Sequence, residues 1–161
     1  MTSQPQGLHP LSQAVLDHAR HWGVDLDIRR FPAETRTAQQ AAAAIGVEVG
    51  AIVKSLLFMV GEQPWMVLMA GDRRLDEVRL SEQTHKSVRR ASPEEVRSAT
   101  GAAIGGVPPF GHPTALPTLV DASLQRFALV WAAAGTPDSV VALTPRQLRD
   151  LCQAVVWDTD G

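Results

Sequence analysis

Lys54 is one of two lysines in a chain of 161 residues that carries thirteen arginines, and it interrupts the apolar run from Ile52 to Val60. Read as a strand, that run sets Ile52, Lys54, Leu56, Phe58 and Val60 on one face and Val53, Ser55, Leu57 and Met59 on the other. Both faces are otherwise apolar, which predicts a central strand covered on both sides. An ammonium in that setting must reach solvent along its stem, lose its charge or meet an anion. Two readings stay open on these residues alone. One is a lysine near the strand start whose head reaches water; the other is a cation at a pocket mouth that holds a phosphate or a carbonyl oxygen.

The second chemical feature is the loop Gly105-Gly106-Val107-Pro108-Pro109-Phe110-Gly111-His112-Pro113. Glycines let a backbone approach a ligand closely, and prolines fix the path while removing competing N–H donors. Such a loop can present a few free N–H groups to a developing oxyanion, or it can be a rigid surface turn. His112 reads as an acid, a base or a hydrogen-bonded loop anchor. His18 and His21 sit three apart on a helix, without the Cys, Asp or Glu spacing of a zinc site, so no metal is expected. No Gly-x-Ser-x-Gly elbow occurs and Cys152 has no motif around it, so no covalent nucleophile is evident. Gly71-Asp72-Arg73-Arg74-Leu75-Asp76 combines a turn, two cations and a helix cap; it reads as a solvated turn or as a phosphate contact through Arg73 or Arg74.

The elements that must position these groups alternate along the chain. Residues 1–10 read as a loose leader, 11–158 as one domain and 159–161 as a tail. A helix over Ser12–Trp22 shows Leu11, Val15, Ala19 and Trp22 on one face and ends at Gly23. A short strand follows around Leu26, Ile28 and Phe31. Thr37 with Gln40 is a capping-box pattern opening the helix Ala38–Ile45. Ile52–Val60 and Trp65–Ala70 form a hairpin across Gly61–Pro64. Ser92-Pro93-Glu94-Glu95 starts another helix, and residues 101–117 are a shaped loop. Leu124–Phe127 is one helical turn, Leu129–Ala133 and Val140–Leu143 are strands, Thr144 caps a last helix, and Ala154–Trp157 is a final strand. Hairpins with irregularly interspersed helices point to an α+β fold rather than a doubly wound one.

Composition narrows the function classes. Hydrophobic residues make up 45% and charged residues 20% of the chain, ordinary for a folded domain. A net charge of −2 and the lack of a basic stripe argue against a regulator that grips duplex DNA. No apolar run is long enough to span a bilayer, the start lacks a secretory signal, and a lone cysteine suits a reducing compartment, so a cytoplasmic location is expected.

Five motifs occur in order: Thr37-Ala38 with its alanine helix, Val53-Lys54-Ser55-Leu56, Gly71–Asp76, Ala91-Ser92-Pro93-Glu94-Glu95-Val96 and Gly105–His112. Together, over roughly residues 25–157, they resemble the YbaK/EbsC family, free-standing relatives of the editing domain inserted in bacterial prolyl-tRNA synthetases. The resemblance implies a single α+β domain with a curved, mixed, barrel-like sheet flanked by helices. It implies hydrolysis of the ester that joins a wrong amino acid to the tRNA 3′ end, by water and without a cofactor. Lys54, Gly105 and Gly106 take the catalytic positions. Phe31, Thr37, Val107, Pro108, Pro109, His112, Ala133, Ala134 and Gly135 take the substrate-binding ones, and Arg73 and Arg74 are offered as tRNA contacts. The implied partners are the tRNA 3′ acceptor end and an aminoacyl-tRNA synthetase; neither a membrane nor DNA is expected.

Family members that clear cysteine from proline tRNA carry polar groups where this chain has Trp131-Ala132-Ala133-Ala134-Gly135-Thr136, and an acid where it has Val140. This departure points to a pocket for a small side chain such as alanine, 2-aminobutyrate, serine or threonine. The alternative function is a non-catalytic module that binds an aminoacyl-adenosine or nucleotide in the same pocket.

Overall fold

Local side-chain chemistry sets most helix starts. In the computed structural model, which describes residues 7–31 and 37–158, three helices open on complete capping boxes. Thr37 Oγ1 accepts from the Gln40 amide at 3.1 Å, Ser92 Oγ from Glu95 at 3.2 Å and Thr144 Oγ1 from Gln147 at 3.1 Å. These boxes begin α2 (Ala38–Ile45), α4 (Pro93–Thr100) and α5 (Pro145–Cys152). The remaining helices are α1 (Pro10–His21), capped by His9, and α3 (Glu77–Thr84), capped by Asp76.

The strands are β1 (Ile28–Arg30), β2 (Ile52–Val60), β3 (Gln63–Ala70), β4 (Val88–Arg90), β5 (Thr118–Asp121), β6 (Val130–Ala133), β7 (Ser139–Leu143) and β8 (Val155–Trp157). They form one mixed sheet in the order β1-β7-β6-β2-β3-β5-β8, with β4 pairing the far end of β2. The architecture is therefore the α+β class that the sequence predicts, with an open path between edge strands β1 and β8.

The central-strand expectation for Ile52–Val60 holds. Val53, Leu57 and Met59 face the larger core, which α1, α4 and α5 cover through Val15, Leu16, Val96, Leu148 and Leu151. Phe58 and Val60 face a second core with Leu80 of α3 and Trp157. Ile52 joins a third with Ala41 and Ala42 of α2.

Some expectations need correction. The buried stripe of α1 is Ser12, Val15, Leu16 and Ala19, whereas Trp22 lies past the last turn and is 45% exposed. Its N–H closes onto Ala19 O, so the chain has already left the helical path. The helix also starts at Pro10 rather than Ser12, and Leu8 packs on the core. Leu129 sits outside β6 and is exposed. Strands β4 and β5 carried no signal: the first is Val-Arg-Arg, and the second follows the Pro/Gly loop with only four residues. The expectations for residues 1–6 and 159–161 lie outside the described residues.

Leu68, fully buried in β3, tests the larger core. Leu68→Ala is expected to cost about 2–5 kcal/mol of unfolding free energy, measured by urea denaturation; a loss well under 1 kcal/mol would mean that the core closes differently.

Candidate active site

The pairing of β2 is complete on one edge and interrupted on the other. β3 pairs with it from Val53 to Val60. On the opposite edge β6 covers only Ile52 and Val53, and β4 covers only Phe58 to Val60. Leu57 O is taken by the Ala91 amide at 3.0 Å. Residues 54–56 thus have an open edge, and they are the three half-buried positions of an otherwise buried strand. Main-chain groups on an unpaired edge are ready partners for an incoming polar chain.

A cleft of about 300 Å³ lies over this gap. Its walls come from Ile104, Gly105 and Val107 of the loop, Thr37, Ala38 and Ala41 at α2, and Trp131, Ala133 and Val140 on β6 and β7. Strand register distributes them. Val53 aligns with Ala132, and that face carries Ser55 beneath the loop. Ile52 aligns with Trp131, and Ala133 with Val140, so Lys54 shares the other face with Trp131, Ala133 and Val140.

The Lys54 Nζ donates to Arg73 O at 2.5 Å. That carbonyl is itself fixed by the turn after β3. The buried Asp121 carboxylate accepts from the Ala70 amide at 3.0 Å, and a Cβ on Gly71 would meet Val49 O at 2.2 Å, so only glycine lets the turn pass. Asp72 then forms a two-pronged pair with Arg126 at 2.8 and 3.1 Å. Burial pulls the Lys54 ammonium below the ordinary lysine range, and the nearby Arg74 charge adds to this. The result is an oriented cation that gives up its proton more readily than a surface lysine.

Ser55 is the residue that sequence reasoning passed over. Its hydroxyl is buried and finds no hydrogen-bond partner among the described residues, in a cleft otherwise dominated by Val, Ile, Leu and Ala. Such a group costs stability unless something else satisfies it. Arg90, Ile104, Pro137 and Ser139 also line the cleft without having been expected there, together with Trp131 of the segment that pointed to a small pocket. A β-strand with two arginines carries no signal that one of them faces a pocket.

Of the expected site residues, Lys54, Gly105, Val107, Thr37 and Ala133 come together in the cleft. Gly106 does not act as a free donor. Its N–H bonds Ala103 O at 3.0 Å, and a Cβ there would press on the Thr136 backbone at 2.9 Å. Its role is close packing of the loop. Pro108 and Pro109 are buried, and their carbonyls are held from behind: His112 Nε2 lies 2.7 Å from Pro108 O and Cys152 Sγ donates to Pro109 O at 3.4 Å. His112 is therefore a loop anchor outside the cleft lining. Ala134 and Gly135 point into the α1 contact, with Ala134 O accepting from Ser12 Oγ at 2.7 Å and a Gly135 Cβ blocked by Leu11 at 2.7 Å. Phe31 is not among the residues lining the cleft, and its ring lies 5.9 Å from the Arg29 guanidinium. Arg73 contributes its carbonyl, and Arg74 is exposed beside it. Among the described residues no three His, Cys, Asp or Glu converge to hold a metal, and no helix is long and apolar enough to cross a membrane.

Comparison with known proteins places this geometry. The family described as aminoacyl-tRNA editing domain matches residues 32–151. The Bacillus subtilis protein YwhH is 36% identical over 146 residues, covering 90% of this chain and 93% of that protein. A proline–tRNA ligase of Solidesulfovibrio magneticus is 36% identical over 90 residues, which span 55% of this chain but 15% of the ligase. A crystal structure of a candidate trans-editing enzyme for prolyl tRNA synthetase superposes with a TM-score of 0.87 at 43% identity, covering 94% of this chain and 98% of that one.

Two outcomes are expected. Ser55→Ala removes an unsatisfied hydroxyl, so thermal unfolding should show no loss of stability; a drop of several degrees in Tm would reveal a partner inside the protein. Burial also lowers the His112 pKa, against the opposing pull of its bond to Pro108 and with a small lowering from neighbouring His18. The unfolded chain therefore takes up this proton first, so stability is full above about pH 6.5 and is lost as pH falls below that value and through the lower pKa of the folded state. His112→Gln should flatten this part of the Tm–pH curve; an unchanged slope would exclude the anchor as its source.

Proposed function

The chain belongs to the aminoacyl-tRNA editing domain family, and we propose that it is a hydrolase that deacylates tRNA carrying a wrong small amino acid. The observation that carries this reading is the interrupted edge of β2, which sets an oriented ammonium, an unpaired stretch of strand edge and a small, mainly apolar cleft side by side. An aminoacyl ester is already activated, so holding it against water and stabilising the developing oxyanion can supply the rate. Lys54 is the positioning cation. Gly105 and the open edge at residues 54–56 are the places from which backbone donors reach the ester carbonyl, a role that Gly106 does not take. Water is the nucleophile, which agrees with a half-buried Cys152 whose thiol pKa is pushed up by desolvation.

Ala133, Val140 and Val107 give the cleft an apolar wall. This supports a small side chain such as alanine, 2-aminobutyrate, serine or threonine rather than cysteine. The unpartnered Ser55 hydroxyl adds one polar contact, which favours substrates able to hydrogen-bond to it. Proline tRNA is the proposed carrier, by analogy with the synthetases that share the family, and an aminoacyl-tRNA synthetase is the proposed source of tRNA selectivity. A module that binds an aminoacyl-adenosine without cleaving it is the competing reading.

Deacylation of a panel of mischarged proline tRNAs tests both. Lys54→Ala should lower kcat/KM by about a hundredfold or more, while a binding module would show no turnover to lose. Rapid clearance of the cysteinyl ester with alanyl and seryl esters untouched would overturn the small-pocket assignment. After correction for spontaneous hydrolysis, the wild-type rate should fall on the alkaline side at a pH below the ~10.4 of a free lysine.

A further inference from the structure

The register of the sheet collects more than Lys54 on its outer face. Arg29 aligns with Val140, Val140 with Ala133, Ile52 with Trp131 and Phe58 with Arg90. Arg29, Trp131, Lys54 and Arg90 therefore project from the same side. Arg29 stacks over the Trp131 ring at 5.7 Å, and Arg90 lies over Phe58 at 5.5 Å. Among the described residues, those lining the cleft include two cations and no carboxylate.

The neighbouring acids are already engaged. Asp72 is held by Arg126, and Asp121 is held by the Ala70 and Ser123 amides. The adjacent Arg89 differs instructively: both its terminal nitrogens bond Glu95 at 2.8 Å. Arg90 and Arg74 have no such carboxylate among the described residues, yet both act on the Lys54 ammonium electrostatically. A positively charged ledge next to a half-buried aromatic ring at the cleft wall is an arrangement that suits single-stranded nucleic acid, through backbone phosphate and a stacked base.

We propose that Arg90, supported by Arg74, grips the last phosphodiester of an RNA 3′ end and so sets the terminal ester over the gap in β2. The proposal rests on the deacylase reading for the identity of the RNA, and it assigns Arg90 a substrate-binding role. Arginine suits this task because its planar fork matches two phosphate oxygens and stays charged.

The test is a binding cycle with an uncharged acceptor-stem microhelix ending in a single-stranded 3′ tail. It is made with either a native or an uncharged methylphosphonate linkage before the last nucleotide, and Kd is read by fluorescence anisotropy. Arg90→Gln should weaken binding of the native microhelix about tenfold or more. The methylphosphonate should cost the wild type a similar factor, and the two changes together should cost no more than either alone. Arg74→Gln should show the same non-additivity with a smaller loss. Arg146→Gln, on the exposed surface of α5 across the sheet, should bind as wild type. The salt dependence of log Kd should also become shallower in Arg90→Gln, by roughly 0.7 for one lost phosphate contact. Independent, multiplying losses, or wild-type binding by both arginine variants, would overturn the proposal. If the wild type binds the microhelix with this pattern but cleaves no ester, the deacylase reading falls and the phosphate grip stands. If esters are cleaved while Arg90→Gln binds normally, the grip falls alone.

Discussion

The interrupted pairing of β2 is the constraint on which the rest of the site depends. A strand at the centre of a sheet normally has both edges hydrogen-bonded, because buried main-chain groups without partners are costly. Here β6 releases the strand after Val53 and β4 takes it up again at Phe58. The unpaired interval holds Lys54, Ser55 and Leu56. Full pairing to β3 on the other edge and apolar packing at both ends of the strand keep this opening rigid. A ligand arriving there meets main-chain groups whose positions the sheet has already set.

Around that gap, positioning is delegated outward in steps. The Lys54 ammonium is aimed by Arg73 O, which depends on a turn that Asp121, Gly71 and the Asp72–Arg126 pair hold in place. The Gly105–Pro109 loop is fixed on its far side by His112 and Cys152, which hold the carbonyls of Pro108 and Pro109. The groups nearest the cleft are thus few, and many of the conspicuous residues of the motifs serve to hold them. This division explains why a loop rich in glycine and proline contributes little more than Gly105, Val107 and Ile104 to the lining.

The polar groups of the cleft fall on two sides. Under the loop lies the isolated Ser55 hydroxyl among apolar neighbours; on the outer face lie Lys54, Arg90 and Trp131. An ester of a small amino acid on a nucleotide has the same two-sided character, with an apolar or weakly polar acyl group on one side and an anionic, aromatic nucleotide on the other. A net charge of −2 over the whole chain conceals this local excess of cations, because carboxylates elsewhere balance it.

The sequence alone determined the features whose cause is local. Capping boxes at Thr37, Ser92 and Thr144, the alternation in Ile52–Val60 and the glycine stops depend on residues within a turn or two, so they were legible by inspection. Lys54 was legible for a similar reason, as a charge where its neighbours demand burial. Tertiary structure decided what depends on distant segments. The gap in β2 arises from where β6 and β4 begin and end, and neither the three-residue β4 nor the orientation of Arg90 follows from local pattern. The donor lost at Gly106, the outward placement of His112 and the isolation of the Ser55 hydroxyl are likewise settled by what the folded chain brings against each atom.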